Sequence, residues 1–141
     1  MEPLPDPVKE FVAAARVCRI ASARPDGEPH VIPVCPVFDG DSTVYVDIGS
    51  RYSTAKALQG DPRIAVLIDD YDDNWALLKG VLLRCRAEEA KDEERDRAWD
   101  LIRKHYPQHG SVGWEPRLTL ALHIYDWRQW GVTAPPQYEA E

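Results

Sequence analysis

Between residues 49 and 56 the chain reads G-S-R-Y-S-T-A-K. Two cations, Arg51 and Lys56, and three hydroxyls, Ser50, Ser53 and Thr54, stand there between an apolar run and a short helix-like segment. Such an assembly suits an oxyanion. The free N–H groups of a first helical turn point at it, the dipole favours negative charge, and an Arg fork and a Lys charge complete the shell. The same residues also make an ordinary capped helix whose cations face water, and on residue types alone the two readings are even. There is no Walker sequence and no G-x-G-x-x-G, so this is not a P-loop or a Rossmann site.

Other candidate groups are weaker. The run D-D-Y-D-D, residues 69–73, could offer carboxylates to a hard cation, but its spacing is not that of an EF-hand loop, and a solvated turn is the simpler reading. His30, His105, His109 and His123 are scattered, with no pair at metal-ligand spacing on a shared face. His123 lies in an apolar run and reads as a packed, hydrogen-bonded residue, whereas His30 could face a pocket. Cys18, Cys35 and Cys85 form an odd set without C-x-x-C spacing, which reads as reduced thiols rather than a disulfide framework or a metal site. Cys35 could be a nucleophile, but no adjacent His or helix start would lower its pKa. Trp127 and Trp130 in D-W-R-Q-W fall on opposite faces of an extended segment, one for the core and the other for a neighbouring subunit or a flat ring. No G-x-S-x-G elbow occurs. The chemistry of a site here is borrowed from a cofactor.

The elements that must carry these groups follow from turns and periodicity. Residues 8–16 have helical composition behind Pro7. Residues 17–22, 29–38 and 43–48 are apolar runs separated by P-D-G and D-G-D turns, the pattern of an antiparallel meander. Pro33 and Pro36 interrupt the second run. A proline cannot donate to a ladder, so this strand is an edge or is bulged, with backbone groups free for a ligand or another chain. Residues 53–60 read as a short helix ended by Gly60, and D-P-R-I-A-V-L-I-D as a strand. W-A-L-L-K-G-V-L-L-R-C-R-A-E reads as a long strand with a bulge at Gly80. Residues 88–106 have helical spacing with early acids and late bases, and residues 118–130 form a last strand before a loose tail. About six strands with one long helix suggest a mainly β fold, a small barrel with helices at its side.

Composition agrees. The chain has 141 residues, 44% hydrophobic and 29% charged, which fits one globular domain. A net charge of -7 disfavours nucleic acid and an anionic membrane surface as partners. No apolar stretch approaches the roughly 20 residues of a membrane span. The N-terminal M-E-P-L-P-D-P-V-K-E lacks the pattern of a signal peptide, so a cytoplasmic location is expected.

In order along the chain, R-I-A-S-A-R-P-D-G-E-P-H-V-I-P-V, V-Y-V-D-I-G-S-R and K-A-L-Q-G-D-P-R-I-A-V-L-I-D resemble the pyridoxamine 5'-phosphate oxidase-like split-barrel superfamily, whose members bind FMN or the deazaflavin coenzyme F420. D-D-Y-D-D-N-W-A-L-L and D-W-R-Q-W-G look like a branch labelled deazaflavin-dependent oxidoreductases. The resemblance covers residues 11–131 and implies a six-stranded antiparallel split β-barrel, a single domain with its core at 8–131. It further implies a homodimer with two cofactor sites at the interface. By position, Pro33, Val34 and Cys35 would lie along the ring. Ser50, Arg51, Thr54 and Lys56 would meet the phosphate, with Asp47 and Gly49 completing the cofactor site from the preceding strand. Trp127 or Trp130 could close it from the partner chain. This raises the anion reading of 49–56 above the helix cap. Two departures stand out. The family lysine stands eight residues before the proline of the N/D-P-R motif, where this chain has Thr54, and Lys56 stands six before Pro62. The C-terminal arginine-bearing substrate segment of true pyridoxamine phosphate oxidases is missing, which speaks against that activity. The leading expectation is an oxidoreductase that uses FMN or the deazaflavin for hydride transfer to or from a small substrate, with no catalytic side chain identifiable. A non-catalytic flavin- or haem-binding or storage protein is the alternative, and a purely structural dimer comes third.

Overall fold

A computed structural model describes residues 1–49, 53–108, 110 and 115–133. Its centre is one antiparallel seven-stranded sheet: β1 (Cys18–Ala23), β2 (Pro29–Val34), β3 (Val37–Phe38), β4 (Thr43–Ile48), β5 (Arg63–Asp70), β6 (Lys79–Glu89) and β7 (Leu118–Trp130), in the order β2-β1-β5-β6-β7-β4-β3. Three α-helices are described: α1 (Asp6–Ala14), α2 (Ser53–Gly60) and α3 (Asp92–His105).

The order forces the sheet to curl. β2 and β3 are its two opposite edges, yet only Cys35 and Pro36 separate them in the chain. Laid flat, seven strands about 4.8 Å apart would hold the edges about 29 Å from each other. Val34 and Val37 are three peptide steps apart, a reach of at most about 11 Å. The sheet therefore bends into a half-barrel whose seam lies between β2 and β4. The expected six strands are seven, because the Cys35–Pro36 step splits the proline-containing run into two short strands on opposite edges. The edge position expected from Pro33 is observed, since among the described residues β2 pairs only with β1, where Pro33 faces Arg19.

Inward residues alternate along each strand. Cys18, Ile20, Val44, Val46, Ile64, Val66, Val81, Leu83 and Leu122 fill the barrel, and Val8 and Val12 of α1 pack against them. A second apolar layer lies outside the sheet. There Ala98, Trp99, Ile102 and Tyr106 pack against Val37, Tyr45 and Ala121. The Tyr106 hydroxyl donates among the backbone carbonyls of Pro36, Arg16 (3.2 Å) and Ala15 (3.4 Å). It so ties the end of α3 both to the segment leading into β1 and to the step between β2 and β3. His105 Nε2 holds Ala15 O at 2.8 Å. The turn before β4 depends on one carboxylate and one glycine. Asp39 Oδ1 accepts the N–H groups of Asp41, Ser42 and Thr43, while Gly40 takes φ +88, which other residues avoid.

Some boundaries differ from expectation. α3 starts at Asp92 rather than 88, because Glu88 and Glu89 pair with Ala121 and Leu120 in β6–β7. Residues 75–77 form a single 3₁₀ turn, capped by Asn74 Oδ1 accepting Ala76 N–H at 3.1 Å, so β6 begins only at Lys79. The irregularity in the β6–β7 ladder lies between Arg84 and Cys85, not at Gly80. Gly80 is a glycine for another reason: a Cβ there would lie 2.0 Å from the Trp130 ring. No helix among the described residues is long and apolar enough to cross a membrane.

Candidate functional site

The seam between β2 and β4 contains a cavity of about 250 Å³. Ile32, Pro33, Val34 and Cys35 form one wall, and Asp47, Ile48 and Gly49 form the facing wall. Trp99 and Ile102 of α3, with Glu115 and Arg117 from the approach to β7, complete it. The walls are mainly apolar and carry few polar groups, the usual pattern of a ligand site, and the volume is a little under the roughly 300–1,000 Å³ of such sites.

Asp47 is the best-held polar group in this cavity. Its side chain is 10% exposed. Thr119 Oγ1 donates to its Oδ2 at 2.9 Å, and Arg117 N–H reaches both carboxylate oxygens at 3.2–3.3 Å. Trp99 Nε1 in turn donates to Thr119 Oγ1 at 3.0 Å. This chain of bonds fixes the Trp99 ring in the cavity wall and ties α3 to β4 and β7. The Arg117 guanidinium stands 3.8 Å from Asp47 and remains half exposed at the cavity mouth. Cys35 is an exposed free thiol on the rim. Cys18 and Cys85 are buried free thiols, and burial pushes both up to about 12.

Of the residues singled out from sequence, Pro33, Val34, Cys35, Asp47 and Gly49 come together around this one cavity. Ser50 and Arg51 lie outside the described residues, as does the side chain of Ser53. Thr54 is fully buried on the first turn of α2, and among the described residues its Oγ1 has no hydrogen-bond partner. Lys56 is exposed and lines a separate surface depression with Arg24, Pro25, Asp26 and Ala57. Trp127 donates from Nε1 to Glu2 O at 2.9 Å and packs on the barrel core, and Trp130 covers Gly80. His123 Nδ1 is 3.3 Å from Thr43 Oγ1, with Glu88 at 3.6 Å from Nε2. Among the described residues no group of three His, Cys, Asp or Glu side chains is placed to hold a metal ion. Trp99, Ile102, Glu115 and Arg117 were not singled out from sequence. They reach the cavity through the packing of α3 and the approach to β7, which no local spacing marks.

A family model described as pyridoxamine 5'-phosphate oxidase matches residues 4–131. The chain belongs to this family. The seven-stranded half-barrel is the family's split-barrel architecture. Three solved structures share it. A FAD-binding protein from Mesorhizobium loti is 24% identical, covering 91% of this chain and 95% of its own, with a TM-score of 0.69. A conserved hypothetical protein from Mycobacterium tuberculosis is 21% identical, with coverages of 98% and 93% and a TM-score of 0.75. The haem storage protein HutZ from Vibrio cholerae is 14% identical, with coverages of 89% and 92% and a TM-score of 0.67. At these identities the likeness concerns the fold alone. A search of curated proteins finds no match.

Proposed function

We propose that this member of the pyridoxamine 5'-phosphate oxidase family is a homodimeric oxidoreductase that uses FMN, or in its place the deazaflavin coenzyme, on a small substrate. The observation that carries this reading is the pairing of two features at one end of β4. The β2/β4 cavity reaches Gly49, and the chain then enters α2, whose first turn holds the buried, unpartnered hydroxyl of Thr54. An apolar slot beside a helix start with an unused hydroxyl fits a flat ring joined to a polar, phosphorylated chain. When bound, the ring supplies the hydride chemistry.

The chain's own residues do the rest. β2 is an edge strand, so among the described residues no strand pairs with its seam side, and backbone groups there can meet the polar rim of a ring. Pro33 offers only a carbonyl there. Ile32, Val34, Ile48 and Ile102 exclude water from the ring faces. The Asp47–Thr119–Trp99 chain holds the far wall in place. Arg117 and Glu115 at the mouth give a substrate one positive and one negative contact. One protomer's cavity is small for a whole flavin, which supports a second copy completing the site.

A second reading, a flavin- or haem-holding protein without turnover, is favoured by one observation. Asp47, the best-held polar group of the cavity, is already engaged by two donors, Arg117 N–H and Thr119 Oγ1, so it is fixed as part of the wall rather than aimed at a substrate. Titration of the purified protein with FMN and with the deazaflavin coenzyme, followed by reduction of the bound form with hydride donors, tests both readings. Saturable binding with turnover supports the oxidoreductase, and saturable binding that no donor reduces supports the holding protein.

A further inference from the structure

Among the described residues, three buried side-chain atoms have no hydrogen-bond partner: Ser22 Oγ, His30 Nε2 and Thr54 Oγ1. Buried polar atoms in folded proteins are nearly always satisfied, so three together call for a reason. Two of them belong to one ladder, and the third sits on the helix that packs against that ladder's first strand. Ser22 and His30 are directly opposite in the β1–β2 ladder, so their side chains share a face with Cβ atoms about 5 Å apart. That face is the inner one. Ser22 follows the buried Cys18 and Ile20 on β1, and His30 precedes Ile32 and Val34, which line the cavity. His30 is therefore the next inward residue along β2, about 7 Å from Ile32 at two residues per pleat. The opposite cavity wall ends at Gly49, and α2, which carries Thr54 on its buried side, packs against β1.

We infer that Ser22, His30 and Thr54 form a polar recess at the α2 end of the seam that takes a polyhydroxylated chain, of the ribityl type, attached to a ring held in the cavity. The inference rests on the cofactor reading above and adds which residues read the chain. The donor set favours hydroxyls over a phosphate. Two hydroxyls and an imidazole nitrogen can each donate or accept, and so match groups that do both. None of them carries a fixed charge, and burying a dianion against them would be costly. Lys56, the described cation of the 49–56 turn, lies in a separate surface depression. Left unmet, the three atoms are a standing destabilisation, which a ligand that hydrogen-bonds them would remove.

The test compares riboflavin with lumiflavin, which has the same ring without the ribityl chain, against wild type, Thr54→Val, and Ser22→Ala/Thr54→Val. Wild type is expected to bind riboflavin about tenfold more tightly than lumiflavin, the effect of one or two hydrogen bonds. The variants are expected to lose that preference, to bind lumiflavin as wild type does, and, without ligand, to melt no lower than wild type. The single Val substitution is nearly isosteric and keeps the test open should the double variant not fold. A retained preference for riboflavin, or parallel weakening toward both flavins, would overturn the assignment. Variants that melt lower in the absence of ligand would also overturn it, since the hydroxyls would then be serving the fold. If wild type binds neither flavin, the flavin form of the cofactor reading fails and this assignment with it, and that result is distinct from loss of preference alone.

Discussion

Replacing Tyr106 by Phe removes one hydroxyl and leaves the ring in place. Tyr106 is 2% exposed, and its hydroxyl lies within reach of the carbonyls of Pro36, Arg16 and Ala15. Ala15 O keeps a second partner in His105 Nε2 at 2.8 Å, but Pro36, fully buried at the β2–β3 step, has no such replacement among the described residues. Leaving a buried acceptor unmet costs about 1–3 kcal/mol. Unfolding entropy near 2.1 cal/mol/K per residue gives about 0.3 kcal/mol/K for a chain of this length, so Tm should fall by about 3–10 °C. Thermal melts of wild type and Tyr106→Phe by circular dichroism measure this directly. Because Pro36 adjoins Cys35 on the cavity rim, ligand binding at the seam should weaken as well. A melting point within about 1 °C of wild type would refute the claim that this hydroxyl fastens α3 to the curled sheet.

Further expectations concern other parts of the molecule. Gly80→Ala would put a methyl group into the Trp130 ring, displacing it at a cost of about 1–3 kcal/mol, with a change in near-ultraviolet circular dichroism. An unchanged spectrum would show that the ring does not depend on Gly80. Iodoacetamide should label the exposed Cys35 while the buried Cys18 and Cys85 stay protected in the native protein, and bound flavin should slow the Cys35 reaction. Equal labelling of all three would contradict the burial. Stability should fall as pH rises above about 9. Burial raises the folded-state thiols of Cys18 and Cys85 from 9.0 to about 12, and the phenol of Tyr45 from 10.0 to about 12, and it raises Tyr106 further. Each group holds its proton more tightly folded than unfolded. Its contribution is therefore complete below the unfolded value and is lost as pH climbs toward the folded one. Denaturant melts from pH 8 to 11 check the slope, and Cys18→Val should flatten it.

What could be read from the residues alone divides along physical lines. Turns are local, so Asp26–Gly27 and Asp39–Gly40 marked the hairpins correctly, and the Ser53–Gly60 helix was found with its bounds. Pro33 marked an edge strand because the missing N–H is a property of that residue alone. The glycine of β6 was misread because the cause of Gly80 is Trp130, fifty positions away in sequence and adjacent only through the β6–β7 ladder. The seventh strand was hidden because curling a sheet so that its edges meet is a topological fact, invisible in the Cys35–Pro36 step itself. The site shows the same division. Pro33, Val34, Cys35, Asp47 and Gly49 lie on the two segments that flank the seam, and it is the family resemblance rather than residue type or spacing that singles them out. Trp99, Glu115 and Arg117 enter by tertiary packing. The unpartnered state of Ser22, His30 and Thr54 is a property of the folded environment that no residue type announces.

The most direct measurement is a fluorescence titration of FMN, and in parallel of the deazaflavin coenzyme, with the purified protein, alongside its mass in solution. Saturable binding at micromolar concentration, one ligand per protomer of a dimer, weakened by Val34→Trp in the cavity wall, is the expected result. No saturable binding of either ligand, or binding that Val34→Trp leaves untouched, would contradict the assignment of the β2/β4 seam as a cofactor site.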